Sequence, residues 1–279
     1  MLIDGGANIN ARHNWRTALE NASSRGHQEV VRLLLEQGAA INPKRYNGRT
    51  AIRLATYSGH LEVVKLLLDY GADLNTESKC SDTPLIIASG KGNLKMVELL
   101  LEKRVIENKY LDVDSALAAA SRNGKLEIVK LILVRVDDCA KYACRVLVGN
   151  RNLEAVRILL DHGANGKCID NALICASGVG DLEIVKLLIE KRPDLNARDA
   201  QGTTALIQAS SNGRLEVVKL LLSNGADANV QDKDGLTALL RFSFLAFYFF
   251  SFYMFYFHKI LRASSAEIKT LLLENGANI

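Results

Sequence analysis

The chain has 279 residues, of which 48% are hydrophobic and 24% charged, a balance that fits a soluble globular protein or an array of small units. Its 35 basic and 31 acidic residues are spread along the chain and leave a net charge of +4, which argues against the dense cationic footprint of a nucleic-acid or anionic-membrane binder. Cys80, Cys139, Cys144, Cys168 and Cys175 are odd in number and have no CxxC spacing, so they read as reduced, core-facing thiols of a cytoplasmic or nuclear protein, with no metal and no cofactor implied.

In chain order the predicted elements repeat. MLIDGGANIN has an acid at Asp4 and no apolar run, so it is not a secretory signal. A short helix is predicted to open at Thr17-Ala-Leu, and GHQEVVRLLLEQGAAIN follows from Gly26. The pair returns as Thr50-Ala-Ile with GHLEVVKLLLDYGADLN from Gly59, and as Thr83-Pro-Leu with GNLKMVELLLEKR from Gly92. Further copies of the second helix start at Gly124, Arg151, Gly180 and Gly213, the last preceded by Thr204-Ala-Leu; Thr237-Ala-Leu opens a final, partial copy. Successive starts lie 33, 33, 32, 27, 29 and 33 residues apart, so the chain is one motif repeated. Two copies, ending near Gly163 and Asn196, begin four to six residues short. The chain opens and closes inside a copy, and a fragment or an incomplete gene product is the expectation.

Each copy is helical for local reasons. Leu61, Val63, Val64, Leu66, Leu67 and Leu68 form one broad apolar face, while Glu62 and Lys65 pair across the other, as do Glu127–Lys130, Glu183–Lys186 and Glu216–Lys219. The threonines, with Asn93, Asn152 and Asp181, are predicted N-caps. Gly38, Gly71, Gly163 and Gly225 stop the second helix. Ala55, Ala88, Ala120, Ala176 and Ala209 let the two helices of a pair approach closely. Leu66, Leu67, Leu131, Leu187 and Leu221 are expected in the core.

The period near 33, T-P-L-x-x-A from Thr83 to Ala88, and GHLEVVKLLLDYGADLN together resemble the ankyrin-repeat family across nearly the whole chain, although the histidine usual after T-P-L is absent. The resemblance implies an all-α solenoid of stacked antiparallel helix pairs joined by short hairpin-like loops: a single domain over 1–279 with about seven complete repeats and partial ones at both ends. It implies a monomeric interaction module or scaffold that binds another protein, and neither an enzyme nor a nucleic-acid binder. The residues agree with the non-enzyme reading: the histidines are scattered, the glutamates belong to the repeat, and no phosphate loop or nucleophile elbow is present. On the frame of that family the partner-facing hairpin residues are Trp15, Arg16, Tyr46, Asn47, Arg49, Asp82, Asp114, Gln201, Thr203, Lys233 and Asp234, and the helix-side ones are Arg25, Tyr57, Lys91, Arg122, Asn123 and Asn212. Arg16 and Arg49, followed by Asp82, Asp114 and Asp170, predict a face that is basic at its N-terminal end and acidic in the middle. Trp15 stands where the hairpin usually has glycine, either as an anchor for a partner or as a ring folded over its own hairpin.

One block breaks the pattern. All eight phenylalanines lie in Phe242–Phe257, and deleting Phe242–Arg262 would join TALLRASS, which overlays TALIQASS at Thr204–Ser211. This aromatic-rich insertion supports an alternative function, membrane association through residues 242–257, but its 16 uncharged residues fall short of the ~20 a bilayer needs. The preferred reading is a translated intron with no stable place in the core.

Overall fold

The computed structural model describes residues 8–13, 15–43, 50–74, 82–107, 113–135, 148, 150–164, 166–243 and 258–278. They divide between two compact units, Met1–Val136 and Asp137–Ile279. In the first unit the helices are α1 (Ala18–Arg25), α2 (Gln28–Glu36), α3 (Ala51–Ser58), α4 (Leu61–Asp69), α5 (Pro84–Lys91), α6 (Leu94–Glu107), α7 (Val113–Arg122) and α8 (Leu126–Arg135). In the second they are α9 (Leu153–Asp161), α10 (Gly166–Val179), α11 (Leu182–Glu190), α12 (Ala205–Ser211), α13 (Leu215–Ser223) and α14 (His258–Glu274), with a helical stretch over 238–243. The described residues include no strand, only an isolated bridge between His13 and Arg16.

The local signals act as expected. Thr17, Thr50, Thr83, Thr204 and Thr237 each accept a hydrogen bond from the backbone N–H three residues on, at 3.2–3.4 Å. Glu20 returns the favour at Thr17 N (3.1 Å), completing a capping box. Asn93, Asn152 and Asp181 cap the second helices in the same way. The four Glu–Lys pairs are all formed at 2.9 Å, but they are solvent-exposed and add little.

Within each unit the helices form two layers. In the first unit, α1, α3, α5 and α7 pack side by side in one layer and α2, α4, α6 and α8 in the other; in the second unit, α10 packs on α12, and α9, α11 and α13 form the facing row. The fully buried alanines Ala55, Ala88, Ala120, Ala176 and Ala209 let the layers meet. Val31, Val64, Val97 and Val129 form a core column in the first unit, and Val156, Val185 and Val218 one in the second, all at 0% exposure. Three residues later lies a second column in each unit: Leu67, Leu100 and Ile132 in the first, and Leu159, Leu188 and Leu221 in the second. The expectation therefore holds for Leu66, Leu67 and Leu221 but is corrected for Leu131 and Leu187, which are half-buried. In α8 and α11 the residue three past the buried valine, about 300° round the helix and so back beside it, fills the core place, and the one two past it is left half-buried.

Successive repeats are also latched by backbone-to-side-chain bonds. Asn10 Oδ1 accepts from Ala40 N (2.8 Å), Asn42 Oδ1 from Asp73 N (2.9 Å), Asn196 Oδ1 from Asp227 N (2.9 Å) and Asn229 Oδ1 from Asn278 N (2.8 Å). Asn42 and Asn229 also donate to the carbonyls of Gly71 and Gly276. Each such asparagine closes its own repeat's loop and organises the next one. Asn196→Ala should cost about 0.5–1.5 kcal/mol, the net worth of one hydrogen bond, measured as a shift in urea midpoint at unchanged slope.

The partners Asn42 and Gly71 are 29 residues apart, while Asn229 and Gly276 are 47 apart, so the last latch closes across the aromatic block. Phe242, the first residue of that block, is 9% exposed. Residues 244–257, on which the expectation of no place in the core turns, lie outside the described residues. No helix among the described residues is long and apolar enough to cross a membrane. The reading of every cysteine as a reduced thiol is corrected at Cys168, which is buried and disulfide-bonded, its partner lying outside the described residues.

Candidate functional site

The first unit carries an open groove of about 580 Å³ along α3, α5 and α7. Tyr57 is 61% exposed, and Lys91 Nζ sits 3.8 Å from the centre of its ring, a cation–π contact. This pair stands as a ridge between the groove and a second hollow over Gly59, Gly92 and Leu94. Arg53, Asp82, Arg122 and Asn123 form the rest of the rim, and Ile86, Ile87, Gly90, Ser115, Ala118 and Ala119 form the floor. Asn123 is held by its own helix, donating from Nδ2 to Ala119 O (2.8 Å).

Small residues keep the groove open. A Cβ at Gly90 would meet only Ala119 and Asn123, both at an ordinary 3.5 Å. The corresponding glycine of the second unit is Gly178, two residues before the helix-ending glycine in each case. There a Cβ would collide with Gln208 Cγ at 2.7 Å, and Gly178 O accepts from Asn212 Nδ2 (3.2 Å) and Arg214 Nε (3.1 Å). Alanine at 119 leaves a space that glutamine at 208 fills.

Asp82 is exposed at this rim, and Asp114 is half-buried in the first turn of α7, where burial raises its carboxyl above the usual range. The predicted polarity is corrected: the middle of this face carries Arg53, Lys91 and Arg122 alongside Asp82, because the ends of the helices supply cations where only hairpin residues were counted. Asp170 is not a hairpin residue either. It lies within α10 and its carboxylate accepts from Asp194 N at 2.9 Å, a structural role. Burial raises its carboxyl, offset in part by that bond.

Trp15 is 82% exposed at φ +66, in the turn closed by reciprocal backbone bonds between His13 and Arg16. Two residues before the capping threonine, it occupies the position of Gly202 and Gly235, which adopt φ +78 and +75. At Gly202 the need for glycine is also steric: a Cβ would lie 2.9 Å from Lys233 N. Trp15 holds the same backbone conformation at a cost of about 1–2 kcal/mol. Trp15→Gly should therefore raise the melting temperature, by an amount equivalent to about 1 kcal/mol; a lower melting temperature would show that the ring's packing outweighs the strain. Arg16 is half-buried and Arg25 exposed. Tyr46, Asn47 and Arg49 lie outside the described residues.

In the second unit the backbones of the predicted hairpin residues hold the turns, while the side chains of Gln201, Lys233 and Asp234 are exposed. Asp199 Oδ1 accepts from Gln201 N and Thr203 N, both at 2.8 Å, and Gln201 O accepts from Lys233 N (3.1 Å), tying one hairpin to the next. Asp234 is held by Arg241, and Asn212 by Gly178 O. Among the described residues no cluster of three His, Cys, Asp or Glu side chains could hold a metal ion. His60 serves structure, its Nε2 lying 3.3 Å from Ser24 O in the preceding repeat.

A family model for ankyrin repeats matches the chain in three stretches, residues 1–78, 71–142 and 141–232. The chain belongs to the ankyrin-repeat family. Ankyrin repeats are protein–protein interaction modules and are typically non-catalytic. No curated protein sequence matches the chain. The paired helices, hairpin turns and asparagine latches described above are those of ankyrin repeats, and the groove runs along the first helices of three consecutive ones. Sequence reasoning found Tyr57, Asp82, Lys91, Arg122 and Asn123 in it and missed Arg53 and the floor. A signal was present: Arg53 stands at the third helical position after its capping threonine, where Ile86, Ile207 and Leu240 are apolar and Glu20 of the first helix is the other charged residue.

Proposed function

We propose that this ankyrin-repeat chain is a monomeric scaffold of the cytoplasm or nucleus that captures a partner protein on the face built from hairpin turns and first helices. The observation that carries this reading is the groove along α3, α5 and α7. An exposed Tyr57–Lys91 pair stands beside a floor of Ile86, Ile87, Gly90, Ser115, Ala118 and Ala119, where a Cβ added at Gly90 would make only ordinary contacts. Exposed aromatic residues next to a concavity are the usual anchors of protein interfaces. Trp15, held out at a cost in backbone energy, supports a second contact on the same kind of surface.

The test is quantitative affinity capture with the full chain against Tyr57→Ala and Trp15→Gly, with folding checked by circular dichroism. Partners captured by the parent chain should be lost or reduced roughly tenfold with Tyr57→Ala, the size of effect expected for an interface anchor. Identical partners at identical affinity with both variants would overturn the reading.

A further inference from the structure

We infer that the groove along α3, α5 and α7 takes an extended acidic segment of its partner, with two carboxylates meeting Lys91 and Arg122; this rests on the groove being the docking surface. Lys91 and Arg122 are both exposed, and no carboxylate among the described residues lies within ion-pair distance of either. Lys91 is oriented by the Tyr57 ring, a contact that leaves its N–H donors open to an incoming acid. Arg53 adds a third cation to the rim, against the single acid Asp82. The electrostatic match therefore favours a negatively charged occupant.

The floor sets the shape of that occupant. Gly90 with Ala118 and Ala119 leaves the groove open beside Ile86 and Ile87, which suits a strand-like chain with small side chains. Lys91 and Arg122 end adjacent packed helices, whose axes lie ~8–10 Å apart. An extended chain rises ~3.3 Å per residue and alternates faces, so acids two residues apart, ~6.6 Å along the chain, reach the two flexible cations from one face. A nucleic acid is disfavoured, because a backbone-driven site gathers ~6–10 phosphate contacts, whereas this rim offers only three cations and an apolar floor.

The probe is a short fluorescein-labelled peptide of alanine and serine bearing glutamates about two residues apart, compared with glutamine and lysine versions of the same peptide and with a single-stranded oligonucleotide. Fluorescence polarisation with the full chain should show binding of the glutamate peptide alone, weakening as salt rises. Lys91→Glu with Arg122→Glu should lower that affinity at least roughly tenfold, and Gly90→Leu should abolish binding by filling the groove. Gly90→Ala, whose Cβ makes only ordinary contacts, should retain it. Equal binding of the glutamine peptide, tighter binding of the oligonucleotide, no binding of the glutamate peptide, or indifference to the charge reversal would each overturn the acidic assignment. If a captured partner is lost with Gly90→Leu but kept with the charge reversal, the docking surface stands and its acidic chemistry falls. If both variants keep the partner, the docking surface falls too.

Discussion

Leu188→Ala should destabilise the second unit by about 2–5 kcal/mol, the range for truncating a core leucine whose cavity cannot collapse. Leu188 is completely buried, in the same column as Leu159 and Leu221 on either side, and α11 packs against both α9 and α13. The neighbouring Leu187→Ala, at a half-buried position, should cost clearly less. Urea denaturation of the two variants checks the order. Hydrogen exchange should show the loss of protection concentrated in α9, α11 and α13, because a repeat transmits strain chiefly to its neighbours. Equal effects at 187 and 188 would mean that the core column has been assigned to the wrong face.

Asp232→Ala should cost about 3 kcal/mol, as expected when a buried acceptor of several charge-assisted bonds is removed. The Asp232 side chain is fully buried beneath the last hairpin. It accepts from Asp234 N (2.9 Å), Leu236 N (3.0 Å) and Arg241 Nε (2.7 Å). Its removal leaves two backbone donors and a guanidinium without their main acceptor. Burial by itself raises this carboxyl, but the bonds from Leu236, Arg241 and Asp234 outweigh it and hold the group below the usual carboxylate range. A depressed carboxyl stabilises the fold above its unfolded value, near pH 4. That contribution is lost as the pH falls from there through the folded value. The stability difference between the parent chain and Asp232→Ala should therefore be constant at neutral pH and shrink in acid below about pH 4. A difference that grows on acidification would contradict this assignment.

Much of the fold was legible because each repeat restates its instructions. Five threonines mark five helix starts, and each caps its helix. The alanines that admit close packing recur at a fixed offset and are buried without exception. Leu131 and Leu187 misled because a run such as Leu-Ile-Leu or Leu-Leu-Ile offers neighbouring apolar residues, and the repeat position does not decide which one is inside: Leu66 and Ile158 at the same offset from the buried valine are buried. The site was less legible. Its rim residues were visible as departures from the repeat, but the groove is defined by what is missing: glycine at 90 and alanine at 119, where the second unit has the glutamine that fills the space. Absent volume depends on two residues from different repeats, so neither reveals it alone. The ties of Asp234 to Arg241 and of Asp170 to Asp194 were likewise invisible until the fold brought them together.

The asparagine latch has a consequence for how such a chain changes length over evolutionary time. A latched copy carries one half of a fastening at its tail and, in the backbone of that tail, the matching half for the copy before it. A tandem duplication of one 33-residue period therefore arrives with both halves in place and joins the row without any compensating substitution elsewhere. Material placed inside a copy is tolerated on the same terms. The fastening from Asn229 to Gly276 and Asn278 needs only that the two ends return to the same spot, however long the detour between them.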